Sequence, residues 1–209
     1  MLKILIIHNT YLQAGGEDVA VTLQEKLLKE HGHEVKTLIF RNHSFKTIWK
    51  KLVHGIGSIL NIRSFNKVST EIKAFKPDIV HIHNLFFTAS PAILWAAKRF
   101  KIPVIYTIHN YRLICANALL TRDQKICELC ITKKTPYYPV KYKCYRNSSM
   151  ESALVILITG LHKLLHTWNL KNNAYIFLTS FKKEKFTGSS LNLTSKKMNV
   201  VPNFIYDPG

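Results

Sequence analysis

Residues 3–9, Lys3-Ile4-Leu5-Ile6-Ile7-His8-Asn9, form an apolar, β-branched run that closes on a histidine–asparagine pair. A run without polar alternation suits a strand covered on both faces, hence a parallel sheet flanked by helices. The pattern returns along the chain: strands are predicted at residues 2–8, 34–40, 78–83, 103–109, 175–179 and 198–201. Between them, residues 17–31 place Val19, Ala20, Leu23, Leu27 and Leu28 at helical spacing before a stop at Gly32. Further helices are predicted at 88–100 and 150–170. Strands alternating with helices imply an α/β protein with a doubly wound, mainly parallel sheet. There is no internal repeat and no low-complexity linker.

Three of the predicted strands end alike, on His8-Asn9, His83-Asn84 and His109-Asn110. In a doubly wound sheet, ligands bind outside the carboxyl ends of the strands, where strand order reverses. Three such pairs would line one crevice. Taken singly, each histidine has a plainer reading, a strand-end polar group that satisfies a loop. His81 points to the same side as His83 but lies deeper, and is expected to be a hydrogen-bonded core residue.

Composition narrows the class. The chain of 209 residues carries 30 Lys+Arg against 12 Asp+Glu, a formal charge of +18. With 47% hydrophobic and 11% aromatic residues, it holds more apolar material than a disordered basic tail, so most of it must bury a core. The longest apolar stretch, 153–161, is too short to span a bilayer, and the N-terminus lacks the apolar region and cleavage site of a signal peptide. The expected compartment is cytosolic. There, four cysteines speak for thiols or metal ligands rather than a disulfide framework.

Those cysteines are Cys115, Cys127, Cys130 and Cys144, in a loop-like stretch with lysines and prolines. The short Cys127-x2-Cys130 pair can chelate, and the two outer cysteines would complete a tetrahedral, structural zinc site. Free packed thiols and a redox pair are the alternatives. After the first strand, Gly15 and Gly16 open the next helix, where free N–H groups and the helix dipole admit a phosphate. Glu17 and Asp18 could equally cap that helix. From 45 to 56, Phe45, Ile48, Trp49, Leu52, Val53 and Ile56 form an apolar stripe opposite Lys46, Lys50, Lys51 and His54. Such a basic amphipathic helix suits an anionic membrane surface through Phe45, Lys46, Trp49, Lys50 and Lys51; it could also pack on the sheet.

Together, residues 3–9 with Gly15-Gly16-Glu17, the segment Pro77-Asp78-Ile79-Val80-His81-Ile82-His83-Asn84 and the segment His109-Asn110-Tyr111-Arg112-Leu113-Ile114-Cys115 resemble the N-terminal half of retaining glycosyltransferases of family 4. Residues 173–180 and 200–205 resemble the end of the same half, and the four cysteines resemble those of a subgroup. The resemblance implies one half of a GT-B fold. Residues 1–209 would form a single Rossmann-like acceptor-side domain with a cysteine-containing insertion at about 113–147, and the C-terminal donor-binding domain would be absent. Gly15 and Gly16 would approach the donor phosphates and His109 would act beside the reaction centre. Glu17, His83, Asn84, Asn110 and Arg112 would hold the acceptor.

The implied enzyme transfers a sugar from a nucleotide-sugar co-substrate to a glycolipid or surface-polysaccharide acceptor, and needs no metal for catalysis. It would work at the inner face of the membrane, on an anionic surface, with its C-terminal domain supplied in cis or in trans. Two other readings stand beside it: a non-catalytic membrane- or partner-binding module of the same fold, and a nucleic-acid binder, for which charge alone speaks.

Overall fold

The computed structural model describes residues 1–11, 15–42, 57 and 59–205. The proposed membrane contacts Phe45, Lys46, Trp49, Lys50 and Lys51 lie outside the described residues. Six strands form one parallel sheet: β1 (Lys3–Thr10), β2 (Glu34–Arg41), β3 (Ile79–Ile82), β4 (Val104–Ile108), β7 (Asn173–Phe177) and β8 (Met198–Val200). Their order is β2-β1-β3-β4-β7-β8, and every pairing is parallel. This is the α/β, doubly wound, Rossmann-like sheet expected from the alternation of strands and helices.

Strand β1 shows why its residues choose this fold. Ile4 pairs with Val35 on one side and with Ile79 on the other, so the strand is central. Its side chains alternate across the sheet. Ile4 and Ile6 pack with Val21, Leu28 and Val35, whereas Leu5 and Ile7 join Val68 and Ile72 in the main core. Both faces are therefore covered. Trp168, Phe177 and Phe186 are the largest side chains fully enclosed by that core.

The first helix, α1 (Gly16–Glu30), ends as predicted: Gly32 takes φ +76°, a left-handed conformation that suits a residue without Cβ. Helix α2 (Ile62–Phe75) was not among the predicted elements, although Phe65, Val68, Ile72 and Phe75 recur at helical spacing. Asn61 caps it by accepting from the Ser64 N–H at 3.0 Å. Helix α3 (Ala92–Arg99) is shorter than the predicted 88–100, because residues 88–91 form a loop tied down by side chains. Asn42 Oδ1 accepts from the Phe87 and Thr88 N–H groups, and Asn9 Oδ1 accepts from that of Ala89.

Between β4 and the long helix α6 (Ser149–Leu164) the chain leaves the sheet. It forms a two-stranded ribbon of β5 (Thr121–Arg122) and β6 (Lys125–Ile126), then α4 (Leu129–Thr132) and α5 (Tyr137–Lys141). Helix α6 stops short of the predicted residue 170, since His166 turns left-handed at φ +54° and a 3-10 turn follows at Thr167–Asn169. His162 fixes this corner, bonding Thr167 Oγ1 at 2.9 Å and the Ile59 carbonyl at 2.6 Å. Helix α7 (Ser180–Thr187), also absent from the prediction, is capped by Thr179, whose hydroxyl accepts from the Lys182 N–H at 3.1 Å.

Candidate functional site

From β1 the chain crosses to β2 on one side of the sheet and then to β3 on the other, so strand order reverses at the β1/β3 pair. A crevice opens there at the carboxyl ends. It receives His8 and Asn9 from β1, His83 and Asn84 from beyond β3, and His109 and Asn110 from beyond β4. The three pairs do converge, but their members divide the labour. Asn9 and Asn84 serve the backbone: Asn84 Nδ2 donates to the Asn9 carbonyl at 2.7 Å, and Asn84 Oδ1 accepts from the Phe86 N–H at 3.0 Å.

The histidines build a ring stack. His81 and His83 lie 4.5 Å apart between centroids, and His83 and His109 lie 5.2 Å apart, each pair nearly parallel. His83 Nδ1 and His109 Nε2 share a hydrogen bond of 2.9 Å. His81, deeper in the sheet, bonds Thr107 Oγ1 at 2.8 Å. Burial lowers the pKa of all three: His81 and His109 fall to about 4, and His83 lies well below the ordinary value. For His109, the nearby Lys182 charge adds to that effect. At neutral pH the stack is uncharged and offers hydrogen bonds rather than positive charge.

A second chain of polar groups runs alongside. Asn110 Nδ2 donates to the Tyr11 hydroxyl at 2.9 Å, and that hydroxyl donates to Glu17 Oε2 at 3.1 Å. Burial pushes the Glu17 carboxyl up to about 8, with the Asp18 charge helping, so it carries a proton at neutral pH. Burial, and then the neighbouring Glu17, raise Tyr11 as well. His8 Nε2 meets Asp18 Oδ1 at 2.8 Å, while His8 Nδ1 stands 4.0 Å from Glu17 Oε1. His8 Nδ1, Glu17 Oε1 and His83 Nε2 are buried atoms without a protein hydrogen-bond partner. Buried polar atoms usually find partners, so three orphans around one crevice suit ligand hydroxyls or ordered water.

A recess beside the His83–His109 pair is lined by His83, Asn84, Tyr106, His109, Asn110 and Arg112, among others. Arg112 forms its rim and faces the insertion: the guanidinium lies 4.5 Å from the Tyr145 ring centre and donates to the Ala116 carbonyl.

Gly15 and Gly16 sit at the start of α1. Asp18 Oδ2 accepts from the Gly15 N–H at 2.7 Å, the capping arrangement that the acidic residues allowed. An added Cβ at either glycine would meet nothing within 4 Å, so the space beside them is open. Tyr11 and Lys182 were not singled out from the sequence. The Lys182 side chain is largely buried, and its ammonium donates to the His109 carbonyl at 2.6 Å. A lysine at the third position of a capped helix was the available signal.

The cysteines are all free thiols. Cys115 is buried, its thiol donating to Asn117 Oδ1 at 3.0 Å, and the other three are half-buried. Among the described residues, no three potential ligands are already gathered as a metal-binding group. No described helix is long and apolar enough to cross a membrane.

Among solved structures, the chain is similar to a UDP-GlcNAc 2-epimerase from Neisseria meningitidis bound to UDP-GlcNAc. The identity is 18% over 97% of this chain and 46% of that one, with a TM-score of 0.48. It is also similar to Anabaena HepE in complex with UDP, at 11% identity over 98% and 44% of the two chains and a TM-score of 0.47. The glycosyltransferase SnogD from Streptomyces nogalater is 11% identical over 100% and 52%, with a TM-score of 0.44. The chain thus spans about half the length of these proteins. No match was found among curated proteins. The sequence profile of Glycosyltransferase Family 4 matches residues 14–133, which run from the glycine pair of α1 through β4 and the recess loop into the insertion. That match takes in more than half of the chain and most of the candidate site, and the chain belongs to Glycosyltransferase Family 4.

Proposed function

We propose that this chain is the acceptor-binding half of a retaining glycosyltransferase, which moves a sugar from a nucleotide-sugar donor to a glycolipid or surface-polysaccharide acceptor at the inner face of the membrane. The observation that carries the reading is the uncharged His83–His109 pair beside protonated Glu17 at the carboxyl ends of β1, β3 and β4. Neutral donors and acceptors packed on ring faces suit sugar hydroxyls, which carry no charge and present both hydrogen-bond polarities.

In this reading the bond from the anomeric carbon to the diphosphate breaks, and its electron pair leaves with the diphosphate. The sugar becomes oxocarbenium-like, and an acceptor hydroxyl bonds to the anomeric carbon while its proton passes to the departing diphosphate. His109 bonds a hydroxyl of the transferring sugar or acceptor beside that centre. Glu17, His83, Asn110 and Arg112 orient the acceptor, with Asn84 bracing the loop beneath. Gly15 and Gly16 leave room for the donor phosphates at the positive end of α1. Orientation of this kind accounts for much of a transferase's rate, since little covalent chemistry falls to the protein. The donor is gripped mainly by a second Rossmann-like domain, in cis or in trans, and the net charge of +18 favours an anionic membrane surface.

Saturation-transfer NMR with a panel of nucleotide sugars and short glycolipid headgroups tests the reading. Signal on a sugar ring, reduced in His109→Ala, is expected; no saturation transfer from the folded chain to any of the sugars would overturn it. Flotation with anionic liposomes, weakened by salt, tests the membrane part, and failure to float removes it.

A further inference from the structure

Outside the crevice, the insertion between β4 and α6 gathers tyrosines that the site above does not use. Four of the chain's nine fall here: Tyr137, Tyr138, Tyr142 and Tyr145. Helix α5 turns Pro139 inward as its buried residue and leaves Tyr137 58% and Tyr142 39% exposed. The rings form a ladder. Tyr137 and Tyr138 meet edge to face at 5.6 Å between centroids, while Tyr138 and Tyr142, one helical turn apart, are nearly parallel at 6.2 Å. Aromatic surface collected outside a core marks a place where something binds.

Arginines are laid on these rings. The Arg122 guanidinium lies 3.8 Å from the Tyr142 ring centre, as Arg112 lies 4.5 Å from that of Tyr145. Stacking fixes the plane of a guanidinium and leaves its edge, where the N–H groups point, for an oxyanion. Arg122 has donors to spare. Its Nε stands 3.5 Å from Asp123 Oδ2, but that carboxylate is 88% exposed, and a surface pair of this kind holds weakly. Its Nη1 is buried without a protein hydrogen-bond partner, which costs free energy until an acceptor arrives. The surroundings carry the same sign. Between residues 113 and 147, seven Lys and Arg stand against two acids, one of which, Glu128, is paired with Lys185 at 2.7 Å.

The ladder continues from the crevice. Arg112 lines the recess, Tyr145 packs on Arg112, and Phe87 packs on Tyr145 at 5.6 Å. Tyr142 precedes Tyr145 by three residues, a length of chain that spans at most about 11 Å. Both tyrosine–arginine stacks therefore lie within reach of one oligosaccharide.

We propose that the insertion holds an outer acceptor subsite for an acidic sugar, in which Arg122 takes a carboxylate or phosphate oxygen and Tyr137 and Tyr138 carry the sugar ring. The C–H face of a pyranose packs on the negative face of an aromatic ring. A charge-assisted hydrogen bond to the guanidinium then fixes which unit of the glycan lies there. The proposal rests on the crevice being a sugar-acceptor site, and it adds what that acceptor carries: an oxyanion on a unit beyond the one that reacts.

The test is an NMR titration of the full chain with a galacturonate tetrasaccharide, its methyl-esterified neutral form, a maltotetraose bearing one phosphate, and an oligothymidylate. At least one acidic sugar is expected to bind fivefold or more tighter than the neutral form, and whichever leads identifies carboxylate or phosphate. Arg122→Gln and Tyr137→Ala should each abolish that preference, whereas Lys133→Gln, which removes an exposed charge outside the ladder, should keep it. His109→Ala should weaken sugar binding yet leave the preference for acid, so sugar signals indifferent to His109 would count against the crevice and not against the ladder. Equal binding of charged and neutral sugars would overturn the proposal, as would an equal loss in Lys133→Gln, or oligothymidylate binding tighter than either acidic sugar. Should Arg122→Gln fail to fold by circular dichroism, the tyrosine ring shifts of the unaltered chain decide: the acidic probe should move those that Tyr137→Ala removes or perturbs, and unmoved rings would equally sink the idea.

Discussion

His83 Nδ1 lies 2.9 Å from His109 Nε2, with both rings neutral at physiological pH. One proton occupies that bond, and its position decides what both rings present elsewhere. If His109 donates, its own Nδ1 becomes an acceptor and His83 Nε2 a donor. If His83 donates, both outer atoms reverse. The pair thus always offers one donor and one acceptor, exchanged together, which fits a hydroxyl that can itself do either.

Loss of His109 should show in binding more than in stability. His109→Ala is expected to weaken sugar-ligand affinity about tenfold, the worth of roughly one hydrogen bond of about 1.4 kcal/mol. Calorimetric titration measures it. His83→Ala, at a buried position, should instead lower unfolding free energy by about 1–3 kcal/mol, because it removes the partner of His109 Nε2. A denaturant titration that showed the reverse ranking would contradict this division.

Acid should destabilise the fold early. The folded pKa values of His81, His83 and His109 all lie below the ordinary 6.5, with His81 and His109 at about 4. Above 6.5 neither folded nor unfolded chain protonates them. As pH falls from 6.5 toward 4, the unfolded chain takes up protons that the folded one refuses, and stability declines. The urea midpoint should drop over that interval, with a shallower slope in His81→Gln.

Glu17 has the opposite sign. Its folded pKa of about 8 exceeds the ordinary 4.5, so the folded chain keeps a proton that the unfolded chain releases between those values. Stability therefore falls as pH rises from 4.5 to 8. In Glu17→Gln this dependence disappears, and the variant should gain on the parent steadily up to pH 8 in thermal melts. A constant difference at all pH values would rule out a protonated Glu17.

Asn84 is expected to matter to the loop before it matters to a ligand. Its amide bonds the Asn9 carbonyl and the Phe86 N–H from a buried position. Asn84→Ala should cost about 1–3 kcal/mol by chemical denaturation, since it strands buried backbone groups. Unchanged stability with lost ligand binding would assign the side chain wholly to recognition.

Trp168 anchors the far side of the core, enclosed and donating through Nε1 to the Thr159 carbonyl at 3.3 Å. Trp168→Ala should cost about 3–5 kcal/mol through the cavity it leaves. Differential scanning calorimetry would register the fall, and the His83–His109 site, built at the strand ends, should bind unchanged in whatever fraction stays folded.

The sequence by itself determined the sheet and its ligand edge. Apolar runs such as Ile4–Ile7 have few ways to bury both faces, and a run that ends in His-Asn marks where burial stops. Helices α2 and α7 were harder to see, because charged residues dilute the apolar repeat of one and the other is a short helix whose start depends on the Thr179 cap. Which polar groups meet was decided only by the tertiary structure. Tyr11 reaches Asn110 across 99 residues, and Lys182 reaches His109 across 73. Hydrogen bonding and burial act through space, so the charge states of Glu17 and the histidines follow from distances that residue spacing does not encode. His8, His83 and His109 were legible as candidates; that His83 and His109 stand as neutral hydrogen-bonding groups beside a protonated carboxyl became a property of the folded chain.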